Sequence, residues 1–408
     1  MFKQASTSLA QELIEIASHV KDSSDDGFHM HDNVMYCLDN EHHLKLIKLS
    51  QALIAKANAV TKISGNYAFS VTRSLFAKII NSSYREIKDT ALGIEEAMKL
   101  MHQYDVEQTV YLRVNGILLK EPISLGSVDF LMCTSNVLEQ TITQIYDKID
   151  LPHDKRKSHF DESFTKNFRS RCIAVFKVVA EPVKAHERAL DETRRALEIL
   201  RYASTNINFG QNVRFGLDGD QSFEDTLSFV SSTETAKSHV NTAAPVQPFR
   251  LDSAGVQELH DFGAFKLGDF LTDPNISEFK ELLLRAVHWH SSALLQTEKE
   301  KKYLHLVIAL EALFTQKKGD PISNTIAEST ALVINNTLSG RLQIKALVKK
   351  CYNTRSAIAH GGKSPVTDAD LQQLTIIVWN TIHSLIKKAD EFKTQDDLRK
   401  HLENLKFS

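Results

Sequence analysis

An arginine and a histidine stand five positions apart near the C-terminal end of the chain, in the segment YNTRSAIAHGG at 352–362. A guanidinium stays charged throughout the physiological pH range and can bind a phosphate or carboxylate through two parallel hydrogen bonds. An imidazole titrates near neutral pH and can accept or donate a proton there. Arg355 and His360 could therefore bind an anionic group and transfer a proton beside it.

The apolar spacing around Arg355 predicts an amphipathic helix that begins near Arg341. At about 100° per residue, one side of this helix carries Ile344, Val348, Cys351, Arg355 and Ile358. A charged side chain on an apolar stripe needs a partner. Two interpretations stay open. Arg355 snorkels to the edge of the core or pairs with an internal acid such as Glu311, or it points into a cleft and holds an anion, with His360 nearby for proton transfer.

The spacing of the two residues sets a geometric condition. In an unbroken helix His360 lies roughly 140° around the axis from Arg355. Either the last turn unwinds between Ala359 and Gly361, or two subunits contribute across a shared cleft.

Two motifs carry a resemblance to a known family. The segment LVIALEALF at 306–314 precedes the pattern Y-x-x-R-S-x-x-x-H-G-G, which begins at Tyr352. This combination looks like the HEPN superfamily, in its ApeA-like branch, over roughly residues 275–390 of the 408. The resemblance implies a helical bundle that forms a homodimer and acts as a metal-independent endoribonuclease.

The same resemblance implies roles for single residues. Arg355 and His360 match the catalytic pair, and Glu311 matches a supporting acid on the preceding helix. Many members have Asn, Asp or His directly after the arginine, where this chain has Ser356. Ser356 and Asn353 could each supply the third polar group.

If the substrate is RNA, its 2′-hydroxyl is the nucleophile. Cleavage then needs a base for that hydroxyl, a positive group on the phosphate and a proton for the leaving 5′-oxygen. His360 suits the proton transfers and Arg355 suits the phosphate. Lysines near the motif would hold the RNA backbone electrostatically, and they are Lys349, Lys350 and Lys363.

Composition excludes several other classes of function. A net charge of −2 and 42% hydrophobic residues describe an ordinary globular chain, so RNA binding would depend on local basic patches. The four cysteines fit neither a disulfide framework nor a zinc pattern. The segment GGKS at 361–364 lacks the first glycine of a phosphate-binding loop, because Ala357 stands at that position. We therefore expect no metal, no cofactor, no membrane span and a cytoplasmic location.

The distribution of elements predicts an α+β chain that is predominantly α. Residues 1–105 follow helical periodicity, residues 106–272 mix strands and helices, and residues 273–408 form a bundle of four or five helices. In the middle region Asn115-Gly116 predicts a type I′ hairpin. One long helix there carries four arginines that could form a basic face toward RNA, but acids interleave with them and favour a solvated face; the arginines are Arg188, Arg194, Arg195 and Arg201.

These observations lead to two hypotheses of different classes. In the first, the chain is a toxin or abortive-infection antiviral effector that cleaves RNA, and residues 1–272 form a regulatory region that contacts an activator or an antitoxin. In the second, it is a non-catalytic HEPN dimer that serves as a binding or assembly module. The presence of both Arg355 and His360 favours the first.

Overall fold

The structure is a computed structural model of the 408-residue chain. It describes residues 2–20, 29–32, 34–81, 83–84, 86–148, 156–207, 213–217, 226–231, 236–241, 247–315, 322–360 and 366–406. Within these ranges lie fifteen α-helices and eleven short strands, so the fold is α+β and predominantly α, as predicted. No helix of the described ranges combines the length and apolarity needed to cross a membrane.

The chain forms two compact units. Unit 1 contains residues 1–110 and 177–190, and unit 2 contains residues 111–176 and 191–408. The second piece of unit 1 contains the end of the strand Cys172–Val179, which begins in unit 2, and the start of the helix Pro182–Ser204, which continues into unit 2.

Unit 1 is a small helical bundle with one hairpin. Its elements are α1 (Lys3–Ala17), β1 (His29–His31), β2 (Val34–Tyr36), α2 (Asn40–Lys56), α3 (Gly65–Ile80) and α4 (Ile87–His102). Leu13, Leu46, Phe76 and Met98 meet in a common core. Side-chain caps at Asp39 and Ser64 start α2 and α3, because each side chain accepts a hydrogen bond from a backbone N–H of the first turn. The helical pattern predicted for this region is confirmed.

Unit 2 contains a five-stranded sheet with the strand order β5-β6-β7-β3-β8. The strands of this sheet are β3 (Glu107–Asn115), β5 (Ile123–Leu125), β6 (Val128–Met132), β7 (Cys172–Val179) and β8 (Gly216–Leu217). Four further strands form two separate pairs, and they are β4 (Ile117–Leu119) with β11 (Phe249–Leu251) and β9 (Thr226–Ser231) with β10 (Ala236–Asn241). The intervening helices are α5 (Ser135–Lys148), α6 (Arg156–Phe168) and α7 (Pro182–Ser204). Strands β9 and β10 pair only with each other among the described residues.

The predicted hairpin at Asn115-Gly116 is wrong. Strand β4 pairs in parallel with β11, so that Ile117 faces Phe249, while β3 lies between β7 and β8. A type I′ turn needs positive φ at both central residues, but only Gly116 has it. Ile117 and Leu119 are buried, at 3% and 7% exposure. Burial of β4 beside a strand distant in sequence therefore overrides the local turn signal.

The rest of unit 2 is helical. Its helices are α8 (Ser253–Asp261), α9 (Ala264–Thr272), α10 (Glu278–Leu295), α11 (Lys299–Phe314), α12 (Ile322–Ile334), α13 (Leu338–Ala359), α14 (Asp368–Lys387) and α15 (Gln395–Lys406). Helix α14 packs against α10, α11 and α12 and buries Leu374, Val378 and Ile382 completely. It begins with a capping box, in which the side chains of Thr367 and Asp370 each accept a hydrogen bond from the other residue's backbone N–H.

Unit 2 also buries polar side chains. Arg201 is 5% exposed, and it donates to the Ser291 hydroxyl at 2.7 Å and to the carbonyl of Phe215 at 2.6 Å. The predicted solvated face therefore does not include Arg201. His290 is fully buried beside the Tyr202 ring, and neither of its ring nitrogens has a hydrogen-bond partner among the described residues. Burial lowers the pKa of His290 to about 3.

The neutral, buried His290 makes the stability of unit 2 depend on pH. In the unfolded chain, His290 binds a proton below about pH 6.5, whereas in the folded chain it does so only below about pH 3. The free energy of unfolding therefore falls as the pH drops through this interval. Between pH 7 and pH 5, His290 should lower the free energy of unfolding by about 2 kcal/mol. We expect His290→Leu to remove that loss, measured by urea unfolding with fluorescence of Trp289 and Trp379, which both lie in unit 2.

His383→Leu serves as the matched control, because burial lowers the pKa of this histidine as well but it is not fully buried. It should weaken the pH dependence less than His290→Leu does. An unchanged loss of stability in His290→Leu would contradict the assignment.

Candidate functional site

The candidate residues lie on α11 and α13 of unit 2. Helix α13 begins at a Thr337 cap, whose hydroxyl accepts a hydrogen bond from the N–H of Gly340 at 3.2 Å. Of its predicted apolar stripe, Val348 and Cys351 are buried, at 2% and 7% exposure. The other stripe residues are half-buried, and they are Ile344, Arg355 and Ile358. Helix α13 contacts α11, and Arg355 lies opposite Glu311 in the last turn of α11.

Arg355 forms an ion pair with Glu311. Its Nε lies 3.3 Å from Oε1, and its Nη2 donates to Oε2 at 3.5 Å. The Nε–Oε1 contact is close in distance but poorly aligned for a hydrogen bond. The two side chains keep 29% and 19% of their exposed surface, so the pair is partly shielded from water and still open on one side. Of the interpretations that the sequence left open for Arg355, the structure contains the ion pair with Glu311.

Two tyrosines lie at the contact between α11 and α13, and one of them is next to the ion pair. The Arg355 guanidinium lies 5.8 Å from the centre of the Tyr352 ring, one turn earlier on α13. Burial, and next the negative charge of Glu311, raise the pKa of the Tyr352 phenol. Tyr303 of α11 is 2% exposed and its hydroxyl contacts Cys351 and Thr354 of α13. The contact between Tyr352 and Arg355 could have been expected from their i, i+3 spacing on one helix.

His360 occupies the end of α13. The helix stops at Ala359, and the backbone N–H of His360 donates to the carbonyl of Ser356 at 3.1 Å. Its imidazole is exposed and forms no hydrogen bond, ion pair or ring contact with another described side chain, Arg355 included. The structure therefore brings Arg355 and Glu311 together and leaves His360 open to solvent.

The remaining predicted site residues have different surroundings. Asn353 is exposed and Ser356 is half-buried. Lys349 is exposed, while the Nζ of Lys350 lies 3.2 Å from the carboxylate of Asp370 at the start of α14. Lys363 lies outside the described residues.

An open groove of about 860 Å³ lies elsewhere in unit 2, between α7, α9 and α10. Its lining combines three arginines with five acidic residues. Arg195 lies 3.7 Å from Glu192, and the ring of His288 hydrogen-bonds Glu198 at 2.8 Å, a contact that raises the pKa of His288. This groove does not include Arg355 or His360, and its mixed charges give no positive track for a nucleic acid.

In the described part of the chain, no group of three or more His, Cys, Asp or Glu side chains is arranged to hold a metal ion. Comparison of the chain with models of known protein families, with curated proteins and with solved structures finds no match.

The coupling between Arg355 and Glu311 can be measured directly. We expect Arg355→Met and Glu311→Gln each to lower the stability of unit 2, because each leaves a partly shielded polar group without its partner. A double-mutant cycle should give a coupling energy of about 1–2 kcal/mol, between the values for exposed and buried pairs.

The reference is the exposed pair of Arg399 and Asp396 on α15. Arg399 Nη2 lies only 2.6 Å from Asp396 Oδ1, but both side chains are about half exposed. Its coupling should be smaller than that of Arg355 and Glu311. Equal couplings would show that partial burial adds nothing to the pair on α11 and α13.

Proposed function

We propose that the C-terminal helices of unit 2 form a HEPN-type, metal-independent endoribonuclease site with Arg355 and His360 as its catalytic residues. One observation carries the proposal. The guanidinium of Arg355, on the predicted stripe, is held by Glu311 of the neighbouring helix while its side chain stays 29% exposed. A fixed, charged fork that remains accessible is what binding of a phosphate in one orientation requires.

The proposed reaction is a transesterification of RNA. A base takes the proton of the 2′-hydroxyl, and the 2′-oxygen attacks the adjacent phosphorus. The bond from phosphorus to the 5′-oxygen breaks, and an acid delivers a proton to that oxygen. The products are a 2′,3′-cyclic phosphate and a 5′-hydroxyl, with no water consumed at this step. Arg355 neutralises the charge that develops on the phosphate oxygens.

His360 supplies a proton-transfer group in this proposal. Its exposed position at the end of α13 leaves the imidazole accessible to a substrate or to a second copy of the chain. A homodimer in which each copy contributes one Arg-His pair would provide both a base and an acid. Exposed Lys349, with Lys350 beside it on α13 and Lys363 three residues after His360 in the sequence, would hold the RNA backbone.

A second candidate function also has an observation in its favour. Arg355 is already engaged by Glu311 and shares no contact with His360 in the described ranges. A non-catalytic helical dimer that serves as a binding or assembly module needs the ion pair and does not need the histidine. This function predicts that His360 can be replaced without consequence.

In a cell, the proposed nuclease would act in the cytoplasm as a toxin or an abortive-infection effector against viruses. Residues 1–272 would then contact an activator or an antitoxin. Their size relative to the site region supports a regulatory role.

The test compares wild type with Arg355→Ala and His360→Ala in an inducible expression strain. We expect wild type to arrest growth and fragment RNA, and each variant to lose at least about 100-fold in cleavage rate, since each removes a group that acts on the transition state. Purified wild type should cleave RNA in excess EDTA and leave 2′,3′-cyclic phosphate ends.

Arg399→Ala is the matched control, because it removes an exposed arginine of the same unit and should leave cleavage unchanged. Equal growth arrest by all the proteins would remove the nuclease assignment. A wild-type protein that cleaves RNA while it sediments as a monomer would remove only the shared site.

A further inference from the structure

The hairpin of unit 1, formed by β1 and β2, is attached to the bundle through a stacked pair of histidines. The rings of His29 on β1 and His43 on α2 have centroids 4.7 Å apart and planes inclined by 12°. The His43 ring meets Phe69 of α3 edge-on at 5.8 Å, and the His29 ring lies 5.7 Å from Tyr36 of β2. The stack therefore links the hairpin to both helices.

An arginine of α3 completes this attachment. Arg73 donates to the carbonyl of Met30 at 2.6 Å and to the hydroxyl of Tyr36 at 3.2 Å, and its guanidinium lies 5.8 Å from the Phe69 ring. Ser74 donates to the carboxylate of Asp32 in the hairpin turn. These contacts keep Tyr36 only 3% exposed.

The stack suits neutral imidazoles and opposes charged ones. Two imidazolium rings at this separation would repel each other, and Arg73 already places a positive charge beside them. His43 lies in the first turn of α2, where the helix dipole also disfavours a cation. Its Nδ1 is buried without a hydrogen-bond partner among the described residues. Burial, then His29 and Arg73, lower the pKa of His43.

The carboxylates near the hairpin are bound by other groups. Asp39 at the cap of α2 accepts from the ring of His42 at 2.7 Å, and His42 stacks on His19, which follows α1, at 4.0 Å. Asp32 accepts from Ser74 and lies 3.8 Å from His31. On the side of α2 that faces α1, charged groups line a separate cavity, and they are Glu12, Glu15, Lys45 and Lys48. The charged groups that act on His43 are thus His29 and Arg73.

We propose that the stack of His29 on His43 is a proton-operated clasp, which holds the hairpin on α2 and α3 at neutral pH and releases it on acidification. As the pH falls, His43 binds a proton more favourably once its ring has separated from His29 and Arg73. Separation frees His29 with its strand, and the surface under Tyr36 opens. The clasp is independent of the function proposed for unit 2.

Hydrogen exchange read by mass spectrometry tests the clasp in the full chain. Protection of residues 29–36 is measured at pH 7.5 and pH 5.5, each corrected for the intrinsic exchange rate at that pH. In wild type, we expect the hairpin to lose at least about tenfold in protection at pH 5.5, while α4 in the same unit keeps its protection. In His43→Phe, a flat ring without a titrating nitrogen should keep the hairpin protected at both pH values.

His31→Gln is the matched control, because it removes a hairpin histidine outside the stack and should behave as wild type does. His29→Phe replaces the other ring and covers the case in which His43→Phe disturbs α2. A wild-type hairpin that stays protected at pH 5.5 overturns the proposal without any variant. A hairpin that is protected at pH 7.5 in His43→Phe but opens equally with acid also overturns it.

Discussion

A guanidinium cannot shed its charge, so every arginine drawn into the interior of this protein needs compensation where it lies. Arg355 obtains it from Glu311 across the contact between α11 and α13. The pair fixes the rotation of α13, because turning the helix would expose Val348 and Cys351 and separate the charges. The candidate site depends on this one constraint, since it aims the guanidinium and sets how much of it stays in reach of a ligand.

Arg201 shows that the same constraint has a second solution within unit 2. It is more deeply buried than Arg355, and it donates to a serine hydroxyl and a backbone carbonyl. These contacts engage the Nε and Nη1 groups, and at 5% exposure the side chain is almost inaccessible to a ligand. Arg355, by contrast, is half-buried with an aromatic ring on one flank and a carboxylate on another. The difference in burial separates an arginine that only supports the fold from one that could also bind an anion.

Histidines respond to acid in two different ways in the two units. In unit 2, His290 resists protonation because it is completely enclosed, so a proton can be accommodated only at the expense of the packed core. In unit 1, His43 is half-buried, and its burial, the His29 ring stacked on it and the charge of Arg73 disfavour its protonation. Protonation of the enclosed His290 ring would therefore lower the stability of unit 2, whereas protonation at the stack of His29 and His43 would affect the position of one hairpin.

The sequence by itself determined the helices of the C-terminal region, the cap at Thr367 and the apolar stripe that includes Arg355, because periodicity and capping are local properties of the chain. It also supplied Glu311 as a partner for Arg355, since a charged residue on a buried stripe demands an acid nearby. Only the tertiary structure decided that β4 pairs with β11 and not with β3, that Arg201 is enclosed, and that α13 ends at Ala359 with His360 in solvent. Each of these depends on which distant segments meet, and burial between such segments outweighs the preferences of a turn or of a helix face.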